Sequence, residues 1–414
     1  MAFKFVHTAD IHLDSPLKSL ALRDEGLAEL VGNATRTTFA RIVDLCLAEE
    51  VQALLIAGDL YDGGQTSMKT ARFLAQEMAR LAAAGIPAFV IRGNHDAASR
   101  ITRELTLPDS VTVFPGKADV IETIWEGHAV AVHGISFRDP HAPETLLDRF
   151  RPPVRGAFNI GLLHTSLGGA QGHDPYAPCA LSDLQATGFD YWALGHIHQR
   201  AAYPGAPTVV MPGIPQGRDI GEAGAKSVTL VSVADDGSVD LAERHLAVAQ
   251  FERLPVECSH LADWPDLVEA VKHAIRAARR DHAGEHLIVR PVLTGATPLA
   301  WRVGRDADVL HAEAQAVAEQ IGTLWIDRIE VALDTGATTS PGGAVGELAR
   351  IIAHSGISPD APTVQAEVDR LLKHLPRELR GLLGDSEEQT TKAITEAMQQ
   401  GAMEVLARLE DNEG

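Results

Sequence analysis

"QALLIAGDLYD" (Gln52–Asp62) and "AFVIRGNHD" (Ala88–Asp96) decide how this chain is read. Each is a short apolar run that stops at a glycine and then delivers polar side chains. Apolar runs of about four to eight residues bounded by turn residues read as buried strands. Gly58 and Gly93 let the chain turn sharply, so that the next side chain, Asp59 or Asn94, faces a common point.

The pattern recurs three more times. "FKFVHTADIH" ends in Asp10 and His12, "FNIGLLHTS" carries His164, and "YWALGHIH" ends in His196 and His198 after Gly195. In α/β sheets, sites form beyond the carboxyl ends of strands, so these loops can converge. The Asp-x-His and His-x-His spacings place residues two apart on one side of an extended chain. The donors are oxygen and nitrogen without thiolate, a set that suits manganese, iron or zinc rather than calcium. Asp10, His12, Asp59, Asn94, His164, His196 and His198 make seven candidate ligands. One metal would leave several idle. Two divalent metal ions sharing one bridging carboxylate use them all, with manganese the expected ion. Any one of these motifs is common, and the chain holds 18 histidines. Five in order, each at a strand end, form the signal.

At 414 residues the chain fits two or three domains. Its net charge of −20 makes the whole molecule a poor attractor for nucleic acid, although metals and local arginine clusters can hold phosphate. Cys46, Cys179 and Cys258 are few and far apart, so neither a disulfide framework nor a zinc knuckle is expected. No run approaches the ~18 apolar residues of a membrane span, and a cytoplasmic protein is expected.

Strands and helices alternate early, and strands dominate later, which predicts an α/β core with mixed sheets. Helices are expected at Thr38–Glu50 and along the stripe Ala71, Leu74, Met78 and Leu81. A second unit begins near Gln250. It reads as β-α-β-α-β: "FERLPVE", a helix capped by Asp263 or Asp266, "HLIVRPVL", a helix over Ala307–Ile321, and "LWIDRIEVAL". The expected boundaries are a first domain over 1–247, a second over 248–335, a linker at 336–343 and a helical region over 344–414.

Several neighbours are weaker candidates. His7 and His133 read as packing residues. Asp14 and Asp62 read either as hydrogen-bond partners of ligating histidines or as turn residues. His173 and Tyr176 read either as substrate contacts or, by preference, as parts of a plain loop.

Taken together, D-x-H, G-D-x-x-D, G-N-H-D, H and G-H-x-H resemble the signature of the calcineurin-like metallophosphoesterases. "HTADIHLDSPL", "AGDLYD", "RGNHD" and "YWALGHIHQ" are most similar to the SbcD- and YhaO-type DNA repair exonucleases. The motifs span Asp10 to His198. The resemblance implies two packed mixed β-sheets flanked by helices, a small α+β capping domain and a helical C-terminal region. It implies that Asp10, His12, Asp59 and His198 hold one metal, and that Asp59, Asn94, His164 and His196 hold the other. His95 would face the scissile phosphate without ligating, and Asp96 would orient it. DNA is the implied substrate, and an SMC-like ATPase of the SbcC/YhaN type is the implied partner. A homodimer is implied too, with the Ala71–Leu81 helix as its candidate face, although most of that stripe reads better as packing on the chain's own sheet.

Three features favour DNA over a small phosphodiester. The flanking words match the repair branch. Asp96 stands where phosphoprotein phosphatases carry glutamate, and no arginine follows Asp62. The capping domain offers Lys272, Arg276, Arg279 and Arg280 on one helix, either for a DNA backbone or as a solvated face. The acidic tail reads either as a docking element for the partner or as a cap folded back on its own chain. A metal-free scaffold is the non-enzymatic alternative.

Overall fold

The run Ala53–Ala57 is apolar throughout because both its faces are covered. In the computed structural model, Leu54 and Ile56 face one hydrophobic core, and Leu55 and Ala57 face another. A strand buried on both sides needs no polar face. The structure describes residues 3–15, 25–61, 67–98, 107–139, 142–168, 176–282, 284–334, 346–348, 350–351, 361–374 and 387–410. The chain divides into two compact units, Met1–Phe251 with Gly284–His286, and Glu252–Ala283 with Leu287–Gly414.

The first unit opens with β1 (Phe3–Thr8), α1 (Glu25–Ala48), β2 (Ala53–Ala57), α2 (Met68–Ala83), β3 (Ala88–Ile91) and α3 (Asn94–Ala98). There follow β4 (Val111–Val113), β5 (Asp119–Trp125), β6 (His128–Gly134), β7 (Phe158–His164), α4 (Leu181–Gln185) and β8 (Tyr191–Gly195). The unit closes with β9 (Ala201–Tyr203), β10 (Thr208–Met211), β11 (Val228–Val233), β12 (Val239–Arg244) and the start of β13 (Ala249–Glu257). One sheet runs β12-β11-β1-β2-β3-β4, the other β5-β6-β7-β8-β10-β9. Both are mixed: β1, β2 and β3 pair in parallel while β11 lies antiparallel to β1, and β6, β7 and β8 are parallel while β5 is antiparallel.

Phe5, Leu55, Phe89 and Ile91 of the first sheet meet Val132, Ile160, Leu162 and Tyr191 of the second in one core. On the outer face of the first sheet, α1 and α2 bring Phe39, Ile42, Leu74 and Met78 against Val6, Leu54 and Val90. The other outer face buries Leu163, Trp192 and Leu194 with Leu184 and Phe189. The architecture is therefore two packed mixed sheets flanked by helices. The stripe Ala71, Leu74, Met78 and Leu81 is buried within the unit, so those four side chains are not a free dimer face. The first helix starts well before the expected Thr38. Its early turns carry Leu27, Leu30, Val31 and Ala34 at helical spacing, a stripe that the sequence reading passed over.

The second unit holds the rest of β13, then α5 (Trp264–Asp281), β14 (His286–Ala296), α6 (Ala300–Arg305), α7 (Ala307–Ile321), β15 (Leu324–Ile326) and β16 (Glu330–Asp334). Asp263 stands at the N-cap of α5, but its side chain makes no capping hydrogen bond. "LWIDRIEVAL" is two strands rather than one. Leu324–Ile326 pairs with Leu287–Val289, and pairing resumes at Val292 with Glu330. Pro291 has no N–H for a ladder, and Arg290 turns to the buried Asp327, with Nε to Oδ2 at 2.7 Å. The inserted α6 is an element the sequence reading did not contain.

Two helices end the described chain, α8 (Pro362–His374) and α9 (Glu387–Glu410). Contacts join α9 to α6, and Ile394 is buried. No residue of α8 is buried. Of the expected Val345–Ile352 helix, residues 346–348 and 350–351 are described and are helical, and all of the 336–343 linker lies outside the described residues. On α5, Lys272 pairs with Glu313 and Glu269, and Arg276 pairs with Glu269, so two of its four cations already have carboxylate partners. Among the described residues, no helix is long and apolar enough to cross a membrane.

Candidate metal centre

Each functional loop leaves the C-terminal end of a strand. β2 ends at Ala57, and Gly58 turns the chain at φ 98°, where a side chain is strained. A Cβ there would also lie 2.3 Å from His164 Nδ1. At Gly93, after β3, a Cβ would meet Asp59 Oδ1 at 2.2 Å and His164 Nε2 at 2.7 Å. Both glycines are thus required by the closeness of the candidate ligands, beyond the turn itself.

The loop after β1 runs beside the loop after β2. Asp10, His12 and Leu13 donate their N–H groups to the carbonyls of Gly58, Asp59 and Leu60, each at 3.0 Å. Asp96 fastens the β2 loop to the β3 loop. Its carboxylate accepts the N–H groups of Leu60 at 3.1 Å, Tyr61 at 2.9 Å and Gly93 at 3.1 Å. The expected orienting residue of His95 is therefore a staple between two backbone segments.

Six of the seven predicted ligands fall into two groups. Asp10, His12 and His198 form one, and Asp59, His164 and His196 the other, with ligand atoms in each group within 4.8 Å of one another. Asn94 joins the second, its Oδ1 3.1 Å from His164 Nε2. Asp59 Oδ2 lies 3.3 Å from the same nitrogen, and Asp59 Oδ1 accepts the His95 N–H at 3.0 Å. The His95 ring stands edge-on to His12, centroids 4.9 Å apart. The extended-chain argument does not hold for His-x-His. His196 has φ 102°, leaves strand geometry, and goes to the opposite group from His198. Asp10 and His12 do share a group, yet their φ values of 52° and 46° are left-handed rather than extended.

Hydrogen bonds fix which ring atoms face inward. His164 Nδ1 lies 2.9 Å from the Ala57 carbonyl, and as its donor leaves Nε2 toward Asp59 and Asn94. His198 Nδ1 lies 2.7 Å from Glu222 Oε1, which leaves Nε2 toward His12 Nε2 at 3.3 Å. Arg218 donates to both oxygens of Glu222, from Nη2 to Oε1 at 2.6 Å and Nε to Oε2 at 3.2 Å. Glu222 and Arg218 escaped the sequence reading. They sit in "GIPQGRDIGE", a loop and short 3-10 turn with no strand-end signal. Tyr176, read as plain loop, stacks edge-on to His196 with centroids 4.9 Å apart. His7 and His133 pack as expected, with ring nitrogens at Tyr191 Oη and the Leu194 carbonyl, and at Asn159 Oδ1. Asp14 bonds to Arg36. Asp62 and His173 lie outside the described residues.

The electrostatics fit cations. Asp10 and Asp59 are almost fully buried, and two buried carboxylates demand compensation. Burial pushes the Asp10 carboxyl up to about 6, against the pull of His164 and His198. Burial also works on Asp59, but the adjacent His164 carries it well below the usual carboxylate range. Burial disfavours the His164 cation, yet Asp59 raises it to about 9. Burial, with Arg218 nearby, holds His12 well below its ordinary value and therefore neutral. Oxygen anions and imidazole lone pairs converging in two groups suit two borderline divalent ions. A cation at His164 Nε2 must displace a proton near neutral pH. Manganese uptake should release on the order of one proton. Calorimetric titration in two buffers of different ionisation enthalpy reads this directly, and equal heats in both buffers would contradict it.

Glu222 should matter through His198. Glu222→Ala is expected to lower metal affinity about 10–100-fold, the usual effect of losing a partner behind a ligating histidine. Metal titration of the variant checks this.

Two known families match this chain. The calcineurin-like phosphoesterases match residues 3–200, and the middle domain of metallophosphoesterase YhaO matches residues 251–334. The metallophosphoesterase YhaO of Bacillus subtilis is 32% identical over 76% of this chain and 77% of its own length. The DNA double-strand break repair protein Mre11 of Sulfurisphaera tokodaii is 28% identical over 48% of this chain and 50% of its own. That of Methanocaldococcus jannaschii is 26% identical over 63% and 68%. The first of these likenesses covers most of both proteins, and the chain belongs to the calcineurin-like metallophosphoesterases, in the branch that carries the YhaO middle domain.

Proposed function

We propose that the chain is a two-metal DNA phosphodiesterase, a nuclease of double-strand-break repair that works with an SMC-like ATPase. The observation that carries the chemistry is the pair of ligand groups, Asp10, His12 and His198 beside Asp59, His164 and His196. The relatives named as DNA double-strand break repair proteins support the substrate. Asp10, His12 and His198 would hold one ion, Asn94, His164 and His196 the other, and Asp59 both. Two divalent ions supply Lewis acidity to a phosphodiester and lower the pKa of bound water. The remaining steps belong to the chain. Asp96 holds the Asp59 and Asn94 loops in register. Glu222 and the Ala57 carbonyl set the tautomers of His198 and His164. His95 faces the phosphate and gives a proton to the leaving oxygen, a task suited to imidazole near neutral pH.

The test is manganese-dependent hydrolysis of a linear duplex, a hairpin and a generic phosphodiester dye. Cleavage of DNA is the expected result. Turnover of the dye alone would assign a small-substrate phosphodiesterase, and inertness with both metals bound would assign a scaffold. A homodimer and a docked SbcC/YhaN-type ATPase belong to the same reading. Monomer mass by light scattering at micromolar concentration would remove the first. Full-affinity co-purification after truncation at Gly336 would remove the tail as the docking element.

A further inference from the structure

Asp10, His12 and Asp14 alternate into left-handed backbone, with φ 52°, 46° and 58°. Residues with a Cβ avoid this region, and the surroundings must hold them there. Upstream, the loop is held by its bonds to the Gly58, Asp59 and Leu60 carbonyls. Downstream, it is held by Asp14. Arg36 of α1 grips that carboxylate as a fork, Nε to Oδ1 at 2.6 Å and Nη2 to Oδ2 at 2.5 Å. Thr70, in the first turn of α2, donates its hydroxyl to Oδ2. The Asp14 N–H donates to Thr35 Oγ1 at 3.1 Å, and the Ser15 N–H returns to the His12 carbonyl at 3.0 Å. The Arg36 guanidinium lies 5.6 Å from the Phe73 ring centroid, so the fork itself is seated. Bidentate arginine–carboxylate pairs fix direction as well as distance.

We infer that Asp14 is a positioning residue for the first ligand group: its contact with Arg36 and Thr70 anchors the His12 loop to α1 and α2, where Asp10, His12 and His198 converge. The inference rests on the two-metal reading. Its reach is one-sided. Asp59 and His196 follow β2 and β8, His164 ends β7, and Asp14 belongs to the loop after β1. Loss of the anchor therefore loosens one metal and spares the other.

The experiment uses the full chain and manganese, with calorimetry and electron paramagnetic resonance to count and rank the bound ions. In Asp14→Asn, one of two manganese equivalents should weaken about 10–100-fold and the other keep its affinity. Arg36→Gln should weaken the same equivalent, and the double variant should be no weaker than Asp14→Asn alone. Thr70→Val, the mildest change, should give a smaller loss at that equivalent and keep the fold if Asp14→Asn does not. Saturating manganese should restore turnover. Equal weakening of both equivalents would assign a merely structural role and overturn the inference, as would unchanged affinity in every variant. Wild-type protein that takes up no manganese would overturn the two-metal reading, and the inference with it.

Discussion

Asp59→Asn should strip the protein of both metals at once. Asp59 stands in the second ligand group, and its backbone carbonyl accepts the N–H of His12, across in the first, at 3.0 Å. Gly93 has no side chain because Asp59 Oδ1 needs that space. Asparagine keeps the shape and removes the charge that two cations would share. The expected loss of metal affinity exceeds the ~10–100-fold that removal of an outer partner costs, and phosphodiester cleavage should fall to background. Elemental analysis after dialysis checks it. One full equivalent retained per chain would mean that Asp59 serves a single ion.

His95→Ala should do the opposite: both metals stay and turnover goes. The side chain follows Asn94 and stands against His12, while its backbone N–H, which the substitution keeps, holds Asp59 Oδ1. General acid catalysis contributes about 10²–10⁴-fold, and that is the expected fall in kcat. Substrates with a leaving group that needs no proton should lose much less. Metal loss in parallel with activity would make His95 a ligand.

The candidate centre was legible because its residues hang from strand ends. "ALLIA" and "AFVI" announce themselves through burial on both faces, and the glycines behind them mark where the backbone must make room. What stayed hidden lies where no period or turn residue speaks. Glu222 comes to His198 from an irregular loop, and a Glu four residues after an Arg is an ordinary sight in any sequence. Asp96 could be placed in the site by its motif, but its backbone partners depend on how two separate loops meet. The division into the two groups that lie together in the structure was implied by family resemblance. The extended-chain argument alone would have put His196 with His198, since a local rule cannot foresee φ 102°. In the second unit, the break in "LWIDRIEVAL" came from Asp327 answering Arg290 across the sheet, a pairing that sequence distance conceals.

Asp10, His12, Asp14, Asp59 and His196 are all non-glycine residues with left-handed backbone. Such conformations cost of order 1–3 kcal/mol each, so the geometry of the centre is a standing load on a marginally stable fold. A ligand that binds only the folded state returns stability in proportion to the logarithm of its concentration. Metal supply then becomes a form of quality control. Metal-loaded chains should resist opening, and metal-free chains should be cut first in limited proteolysis with and without manganese.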